Sequence, residues 1–487
     1  MNPGILLQGG TLLVHQDDNT VIPFRADILI HGNTIAQIEQ NIHVDDNIRI
    51  INCSNKIISP GFISTHHHLW QTQLKGKHAN QTLLEYLPSG NLIGALYTPA
   101  DAFWGELSGA MEAIDAGTTC VVDHSSLNIG PEYPPTMIQA LETSGLRAIY
   151  CQCVPRTITN DKDLMGTNDH TPTTALTTWK PLAKAVPFAN DRIQLGFAID
   201  NLYLPTTQLQ ELYSSLRSMN AKIITSHGTG GISFGNAPSA IQLLHQSNLL
   251  GPDILISHAN FPKPGDADLL ATHGAFVSST PNTELQMGYP PVAFMPEFEP
   301  HASLGVDCHS WGSGFMPYQM RMILQYARTV RSEGLAGEGK WSRHVSPSVE
   351  QVFNLGTVGR IRVGAKADLV IFDMTTPAML VAAQEDPLAA VVLHSSERDV
   401  DTVIVDGVVR KEGGVLLPVG VAKAPGSNGG GGVGMEGQEL AWNDVVHEVL
   451  KSREAIRQKA RGIDMKALEE GIIDAFHMDR ESMIESA

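Results

Sequence analysis

The chain has 487 residues, of which 42% are hydrophobic and 17% are charged, and this balance excludes a wholly disordered chain and a coiled coil. Its length allows one large domain with smaller additions. The formal net charge of −18 argues against nucleic acid and anionic membrane surfaces as partners, because both repel an acidic protein surface.

The first residues and the cysteines bear on the cellular compartment. The first ten residues lack a basic region followed by an apolar one, so we expect no secretory signal, and no apolar stretch is long enough to cross a bilayer. Five cysteines at low density, without a CxxC pair, favour a reducing compartment. We therefore expect a cytoplasmic protein.

Two distant segments have the pattern of short β-strands. Ile28–Ile38 consists of two apolar runs around a Gly-Asn turn, and Asp401–Arg410 repeats this pattern around Asp-Gly. A further strand is predicted at Ala367–Asp373. The two segments are either unrelated hairpins or parts of one small sheet that joins both ends of the chain.

The middle of the chain alternates short apolar runs with longer segments that can hold helices. This alternation predicts a parallel sheet with right-handed crossovers, and eight runs favour a closed (β/α)₈ barrel of the TIM type. The runs are Ile57–Thr65, Thr118–Asp123, Leu146–Cys151, Ile193–Ile199, Lys222–His227, Asp253–His258, Ala275–Thr280 and Ala302–Asp307.

The last part of the chain is predicted to be a linker and a helical tail. Gly426–Gly434 is rich in glycine, and Leu440–Gly462 and Asp464–Phe476 have helical patterns. The resulting division is a composite β-sandwich from 1–57 plus 359–420, a barrel over 58–358, and the linker and tail over 421–487.

Histidines stand where the predicted barrel strands end. His66 and His68 follow the first run, and residues i and i+2 of a strand point to the same face, so both side chains project together at the end of the barrel where active sites lie. Two adjacent imidazoles can bind one divalent ion. A bare HxH also arises by chance, but three later runs close on His227, His258 and Asp307. Five metal-compatible side chains at strand ends favour a metal site.

The sequence resembles the amidohydrolase superfamily, in its branch of cytosine deaminase-like, S-adenosylhomocysteine deaminase-like and triazine hydrolase-like enzymes. The resemblance implies a metal-bearing (β/α)₈ barrel and a β-sandwich built from both chain ends. It rests on Pro60-Gly61-Phe62-Ile63, His66-x-His68, Gly117-Thr118-Thr119, His227, His258, Leu304-Gly305-x-Asp307 and Val363–Val370.

The same resemblance implies a ligand set and a reaction. His66, His68, His227 and Asp307 would be the metal ligands, and His258 would contact the substrate or the attacking water. Bound Zn²⁺ lowers the pKa of water to about 7, and Fe²⁺ or Mn²⁺ suits the same ligands. Asp307 would accept the proton of the water and later deliver it to the leaving group. The expected activity is a deaminase-like hydrolysis of a C–N bond, other than a peptide bond, in a small cyclic or heteroaromatic substrate.

The chain departs from this pattern in three places. The His-x-x-Glu motif of these deaminases has Gly230 where the glutamate is expected, and Glu284 either replaces that glutamate or lines the rim of the site. Ser64 stands two residues before His66, where an acid or an amide is usual. The segment 354–360 runs directly into the C-terminal signature, which predicts a looser closure of the barrel.

Further polar residues near the strand ends are candidates for substrate contact. Trp70, Gln71 and Gln73 follow the first run and either contact a flat substrate or pack in the interior. His309 follows Asp307 closely and either lines the pocket or fills a loop.

Two other functions remain open. A metal-dependent lyase or decarboxylase would not need the missing glutamate, and a catalytically impaired binding protein of the same fold would tolerate its loss. In each case the partner is a small molecule, and the resemblance together with the helical tail predicts a homodimer.

Overall fold

The computed structural model describes residues 4–157, 164–168, 171–231, 234, 237–357, 359–425 and 432–484. The glycine-rich stretch predicted as a linker includes residues 426–431, which lie outside the described residues. Val358, within the shortened segment, also lies outside them.

An outer sheet joins the two ends of the chain. Its order is β19-β18-β17-β16-β5-β1-β2-β3, with β4 beside β1. The antiparallel pairing of β16 with β5, from Leu369 opposite Pro60 to Asp373 opposite Lys56, connects the distant segments. The sequence prediction of one sheet built from both ends is therefore confirmed. The strands are β1 Ile5–His15, β2 Val21–His31, β3 Thr34–Glu39, β4 Arg49–Asn52, β5 Lys56–Pro60, β16 Leu369–Asp373, β17 Val400–Val405, β18 Val408–Glu412 and β19 Val415–Leu416.

Eight parallel strands form the barrel, in the sequential order from β6 to β15, which confirms the predicted fold class. They are β6 Phe62–His67, β7 Thr118–Ser125, β8 Arg147–Cys153, β11 Ile193–Ala198, β12 Ile224–His227, β13 Ile254–Ser257, β14 Phe276–Ser279 and β15 Ala302–Leu304. Two short antiparallel pairs lie outside these sheets: β9 Arg156–Thr157 with β10 Thr167–Asn168, and β20 Val419–Gly420 with β21 Glu439–Leu440.

The first predicted run, Ile57–Thr65, was wrong as a single strand. The chain leaves the outer sheet at Pro60 and enters the barrel at Phe62. Gly61 makes this transfer possible, because a Cβ at that position would lie 2.1 Å from Oγ1 of Thr119. Both halves are apolar because both sheets bury them, so hydrophobicity alone gave no sign of the break.

The barrel closes between its first and last strands. The backbone N–H of Asp307 donates to the carbonyl of His66 at 2.9 Å, and the N–H of His68 donates to the carbonyl of Asp307 at 2.8 Å. The shortened segment therefore does not hold these strands apart, contrary to the expectation of a looser closure.

Helices cover the outside of the barrel and build the tail. The longest ones follow the apolar periodicity expected of helices packed on a sheet. They are α1 Leu83–Tyr86, α2 Pro99–Asp115, α3 Tyr133–Ser144, α4 Pro172–Ala175, α5 Trp179–Ala183, α6 Thr206–Ser218, α7 Ala240–Gln246, α8 Asp266–His273, α9 Pro281–Gln286, α10 Met316–Gly337, α11 Val349–Gly356, α12 Ala382–Glu385, α13 Pro387–Ala389, α14 Trp442–Ala460 and α15 Met465–Ala475. Among the described residues, no helix combines the length and apolar character needed to cross a bilayer.

The tail helices pack on the barrel. Ile456 in α14 and Ile472 and Ile473 in α15 are buried in the main hydrophobic core. The tail is therefore part of the folded body, and the domain boundaries given above stay a prediction.

Candidate active site

The His-x-His pair lies at the carboxyl end of β6. His66 is fully buried and His68 is 3% exposed, and their ring centroids are 4.8 Å apart. Nδ1 of His66 lies 2.8 Å from the hydroxyl of Ser257, and Nδ1 of His68 lies 2.6 Å from the carbonyl of His124. A carbonyl only accepts, so His68 carries its proton on Nδ1 and presents a lone pair on Nε2.

Asp307 faces both imidazoles. Its Oδ1 lies 3.3 Å from Nε2 of His66 and 3.3 Å from Nε2 of His68, and its Oδ2 accepts a hydrogen bond of 2.7 Å from Thr283. Burial acts to raise the pKa of Asp307, but the adjacent imidazoles of His66, His68 and His258 outweigh it and hold that pKa well below its usual range. The carboxyl is therefore ionised.

His227 completes the cluster from the end of β12. Its Nε2 lies 3.3 Å from Nε2 of His68, and its Nδ1 lies 2.9 Å from Oδ1 of Asp200. The carboxylate fixes the proton on Nδ1, so the Nε2 lone pairs of His227 and His68 face one another. Burial acts to lower the pKa of His227, but the charge of Asp200 outweighs it and raises that pKa.

This geometry tests whether the residues fit a metal ion. Two facing lone pairs at 3.3 Å, next to an ionised carboxylate, repel one another unless a proton or a metal cation lies among them. Nε2 of His66 is buried and has no hydrogen-bond partner among the described residues, and burial holds the pKa of His66 well below its usual value. The ligand atoms of His66, His68 and His227 lie within 4.8 Å of one another. The donor set therefore fits one divalent ion.

His258 and Glu284 form a pair beside this cluster. Nδ1 of His258 lies 3.0 Å from the hydroxyl of Thr280 and 3.3 Å from Oε1 of Glu284. The backbone of His258 adopts φ 71°, a left-handed conformation that is costly for a residue with a Cβ and that aims the ring toward the cluster. Glu284 is 1% exposed, and burial raises the pKa of its carboxyl.

The structure adds Asp200, which sequence reasoning missed. It follows β11, and besides His227 it lies 3.3 Å from Nε2 of His124 through its Oδ2. Its side chain is 48% exposed, and the charges of His227 and His124 hold the pKa of Asp200 well below the usual range. The sequence did contain a signal for Asp200, because this aspartate directly follows the apolar run Ile193–Ile199, as Asp307 follows Ala302–Val306.

Four predicted substrate contacts do not reach the cavity. The six residues Leu69–Leu74 form a buried 3₁₀ turn directed into the interior. The indole of Trp70 packs edge-on against Tyr97 at 5.2 Å, and Gln71 donates to the hydroxyl of Tyr86 at 2.7 Å. Gln73 donates to the backbone carbonyl of Asp101 at 2.8 Å.

His309 is the fourth of these residues. Its Nδ1 lies 3.1 Å from Nε2 of His67, and its Nε2 lies 2.9 Å from the hydroxyl of Thr72. It is 1% exposed, connects the end of β6 with the 3₁₀ turn that follows, and is not among the residues that line the cavity.

A cavity of about 340 Å³ opens above the cluster, at the lower end of the range for small-molecule sites, ~300–1,000 Å³. Its floor includes His68, Asp200, His227, His258, Glu284 and Asp307. Gly230, where a glutamate was expected, also lines it. Apolar and aromatic side chains form the upper walls, among them Leu83, Leu202, Tyr203, Phe234, Phe261, Met287, Tyr289 and Phe476.

Comparison with known proteins gives related sequences over most of the chain. The family model described as "Amidohydrolase family" matches residues 57–410. A 5'-deoxyadenosine deaminase of Methanothermobacter thermautotrophicus is 24% identical over 408 residues, which is 80% of this chain and 90% of that protein. A 5-methylthioadenosine/S-adenosylhomocysteine deaminase of Carboxydothermus hydrogenoformans is 27% identical over 434 residues, which is 84% of this chain and 93% of that protein.

Two solved structures with the same fold contain zinc. An adenosine deaminase from Xanthomonas campestris with bound zinc superposes with a TM-score of 0.75 at 14% identity, covering 93% of this chain and 98% of that one. An atrazine chlorohydrolase from Arthrobacter aurescens TC1 complexed with zinc gives 0.72 at 16% identity, covering 92% of this chain and 100% of that one.

Proposed function

Because this chain belongs to the amidohydrolase family, and is a hydrolase acting on carbon–nitrogen bonds other than peptide bonds, we propose that it removes an amino group from a heteroaromatic ring. The substrate class we propose is an aminopurine and its nucleoside derivatives, as in the names of the related deaminases. The observation that carries the proposal is the pair of facing lone pairs on His68 and His227 beside the ionised Asp307.

We propose that His66, His68, His227 and Asp307 hold one divalent ion, with zinc as the first candidate and Fe²⁺ or Mn²⁺ as alternatives. Such an ion lowers the pKa of water to about 7 and so supplies a nucleophile at neutral pH. Asp200 orients His227 by fixing the proton on its Nδ1.

The side chains of the floor handle the protons. Asp307 is ionised and its Oδ2 is held by Thr283, so its carboxylate is oriented to accept a proton from the attacking water. Glu284 has a raised pKa and lies in the cavity floor, so it is the group available to protonate a ring nitrogen in place of the glutamate missing at Gly230. His258, bonded to Glu284, orients the water or carries that proton toward the ring.

Metal analysis and labelled water test this proposal. Purified wild-type protein is expected to contain near-stoichiometric divalent metal, and His66→Ala to lose it, whereas His245→Ala, at an exposed histidine, retains it. Incubation of 5'-deoxyadenosine and 5'-methylthioadenosine in ¹⁸O-labelled water should release ammonia and place one labelled oxygen in the product. Metal-free wild-type protein that gains no activity from added Zn²⁺ would contradict the proposal.

We further propose a cytoplasmic location. All five cysteines are unpaired, and four of them are buried in the fold, as expected for a reducing compartment. The homodimer stays a prediction.

A further inference from the structure

Aromatic side chains ring the mouth of the cavity. Tyr203, Phe261 and Phe476 are 68%, 37% and 53% exposed, and Phe234 and Tyr289 line the same opening. We call these five residues the aromatic rim. A single exposed aromatic needs no explanation, but several around one cavity above a polar floor are typical of a ligand contact.

One rim residue comes from the helical tail. Phe476 follows α15 and contacts Phe234 edge to face, with ring centroids 6.4 Å apart. The family match ends at residue 410, so this part of the wall lies outside the matched region. The tail therefore supplies part of the cavity wall from outside the region that the family model matches.

Buried polar contacts fix the tail to the barrel. The hydroxyl of Ser452 in α14 donates to Oδ1 of Asp101 at 2.6 Å and accepts from Gln73 at 3.0 Å. All three side chains are less than 9% exposed. Nζ of Lys459 donates to the carbonyl of Leu96 at 2.7 Å. Buried bonds of this kind define one position, because displacing the helix would leave their donors and acceptors unpaired.

The second tail helix sets the position of Phe476. Leu468, Ile472 and Ile473 are buried, and the N–H of Phe476 donates to the carbonyl of Ile472 at 2.9 Å. The backbone at Phe476 is therefore held by the core, while half of its ring faces the opening. A ring held in this way contacts a ligand with little loss of conformational entropy.

Charge separates the floor from the rim. The floor carries imidazoles and carboxylates, whereas the five rim side chains carry none. Lys263 and Asp266 also line the cavity, but Asp266 is 1% exposed and accepts from the hydroxyl of Ser239 at 2.9 Å and from the N–H of Lys263 at 2.8 Å. Neither residue belongs to the aromatic rim. The outer end of the cavity thus suits an uncharged, apolar or aromatic group.

We propose that Phe476 of the tail is a specificity-determining residue, which contacts an apolar or aromatic group that the substrate carries beyond the ring that reacts. This inference rests on the proposed function. Substrates with such a group are bound more tightly than the bare heterocycle, and the tail supplies the difference.

The test compares two probes in wild-type protein and in Phe476→Ala. For 5'-methylthioadenosine, the variant should raise KM about tenfold with kcat nearly unchanged, because an aromatic contact contributes about 1.4 kcal/mol. For adenine, which lacks the outer group, KM should change by less than about twofold on the same scale. Dissociation constants measured in the inactive background Asp307→Asn should show the same pattern without turnover.

Two control variants distinguish the contact of Phe476 from a general effect on the tail. Trp442→Ala removes another tail aromatic, 40% exposed, that does not line the described cavity, and should leave both probes unchanged. Phe476→Trp keeps an aromatic ring and should restore discrimination. If wild-type protein handles both probes and Phe476→Ala affects them equally, the inference about the tail is overturned while the proposed function stands. If wild-type protein neither binds nor converts either probe, both are overturned.

Discussion

The floor and the rim of the cavity are built in different ways. Most of the floor consists of side chains at or just after the ends of barrel strands, where backbone hydrogen bonds such as that from Asp307 to His66 join neighbouring strands, and Glu284 comes from α9. The rim gathers aromatic side chains from loops and from the tail, and Phe476 lies more than two hundred residues from Tyr203 along the chain. The charged groups therefore lie mainly at the barrel strands, and the proposed recognition of the outer group lies on loops and on the tail.

The largest effect is expected from Asp307→Asn, which tests the role of the floor. If the floor alone performs the chemistry, kcat should fall by about 10³–10⁴ with every substrate, because general base catalysis and one metal ligand are lost together. Steady-state kinetics with parallel metal analysis check this. Asp46→Asn, at an exposed aspartate, serves as control, and a fall in KM discrimination without a fall in kcat would contradict the division.

The variant Glu284→Gln tests whether Glu284 is the proton donor of the floor. A group that donates a proton must be protonated, so the rate should fall as pH rises through its pKa, and burial places that pKa above the value of an ordinary glutamate, about 4.3. The variant should lose this limb of the pH–rate profile and about 10²–10³ in kcat. Gly230→Glu in the same background should recover part of the rate, since its Cβ would meet only the carbonyl of Asn260 closely, at 3.1 Å. An unchanged profile in Glu284→Gln would exclude it as the acid.

Asp200→Ala tests the support behind the floor. Loss of the carboxylate frees the proton of His227 Nδ1 and the ring orientation, and such outer partners contribute about 10–100-fold to metal affinity. Competition with a chelator measures this affinity directly. Asp200→Asn, which keeps an acceptor without the charge, should lie between the wild type and Asp200→Ala, and equal affinity in all three would show that Asp200 does not orient His227.

The smallest expected effect concerns a pair of carboxyls beneath the floor. Burial raises the pKa of Asp123 to about 7 and raises that of Glu106 well above its usual value. The folded protein therefore binds protons that the unfolded chain has released above about pH 4, so this pair destabilises the fold increasingly as pH rises from about 4 through 7. Glu106→Gln should flatten this dependence and add about 1–2 kcal/mol at pH 8.

Urea denaturation at pH 5.5 and pH 8 checks the sign, with Glu211→Gln, at an exposed glutamate, as control. If Glu106→Gln changed the free energy of unfolding by the same amount at both pH values, this result would contradict a shared proton in the pair.

Strand periodicity explains which parts of the site could be predicted. Five site residues could be predicted because each stands at the end of an apolar run, and the ends of parallel strands meet at one end of a barrel. They are His66, His68, His227, His258 and Asp307. The same pattern at Asp200 was overlooked. The sequence left open whether Trp70 and Gln73 contact the substrate or pack in the interior, because the direction of the 3₁₀ turn after His68 leaves no periodic signal. The role of Phe476 could not be predicted, because it lies far along the chain from the barrel residues that line the cavity.

The pairing of β5 with β16 also bears on how the protein is made. A ribosome adds about 5–20 residues per second, so the first strands wait about 15–60 s for partners some 300 positions downstream. During that interval, the apolar edge from Lys56 to Pro60 is open to other chains in the cell. Chaperone dependence and yield should therefore follow the translation speed of the part of the message between Pro60 and Leu369.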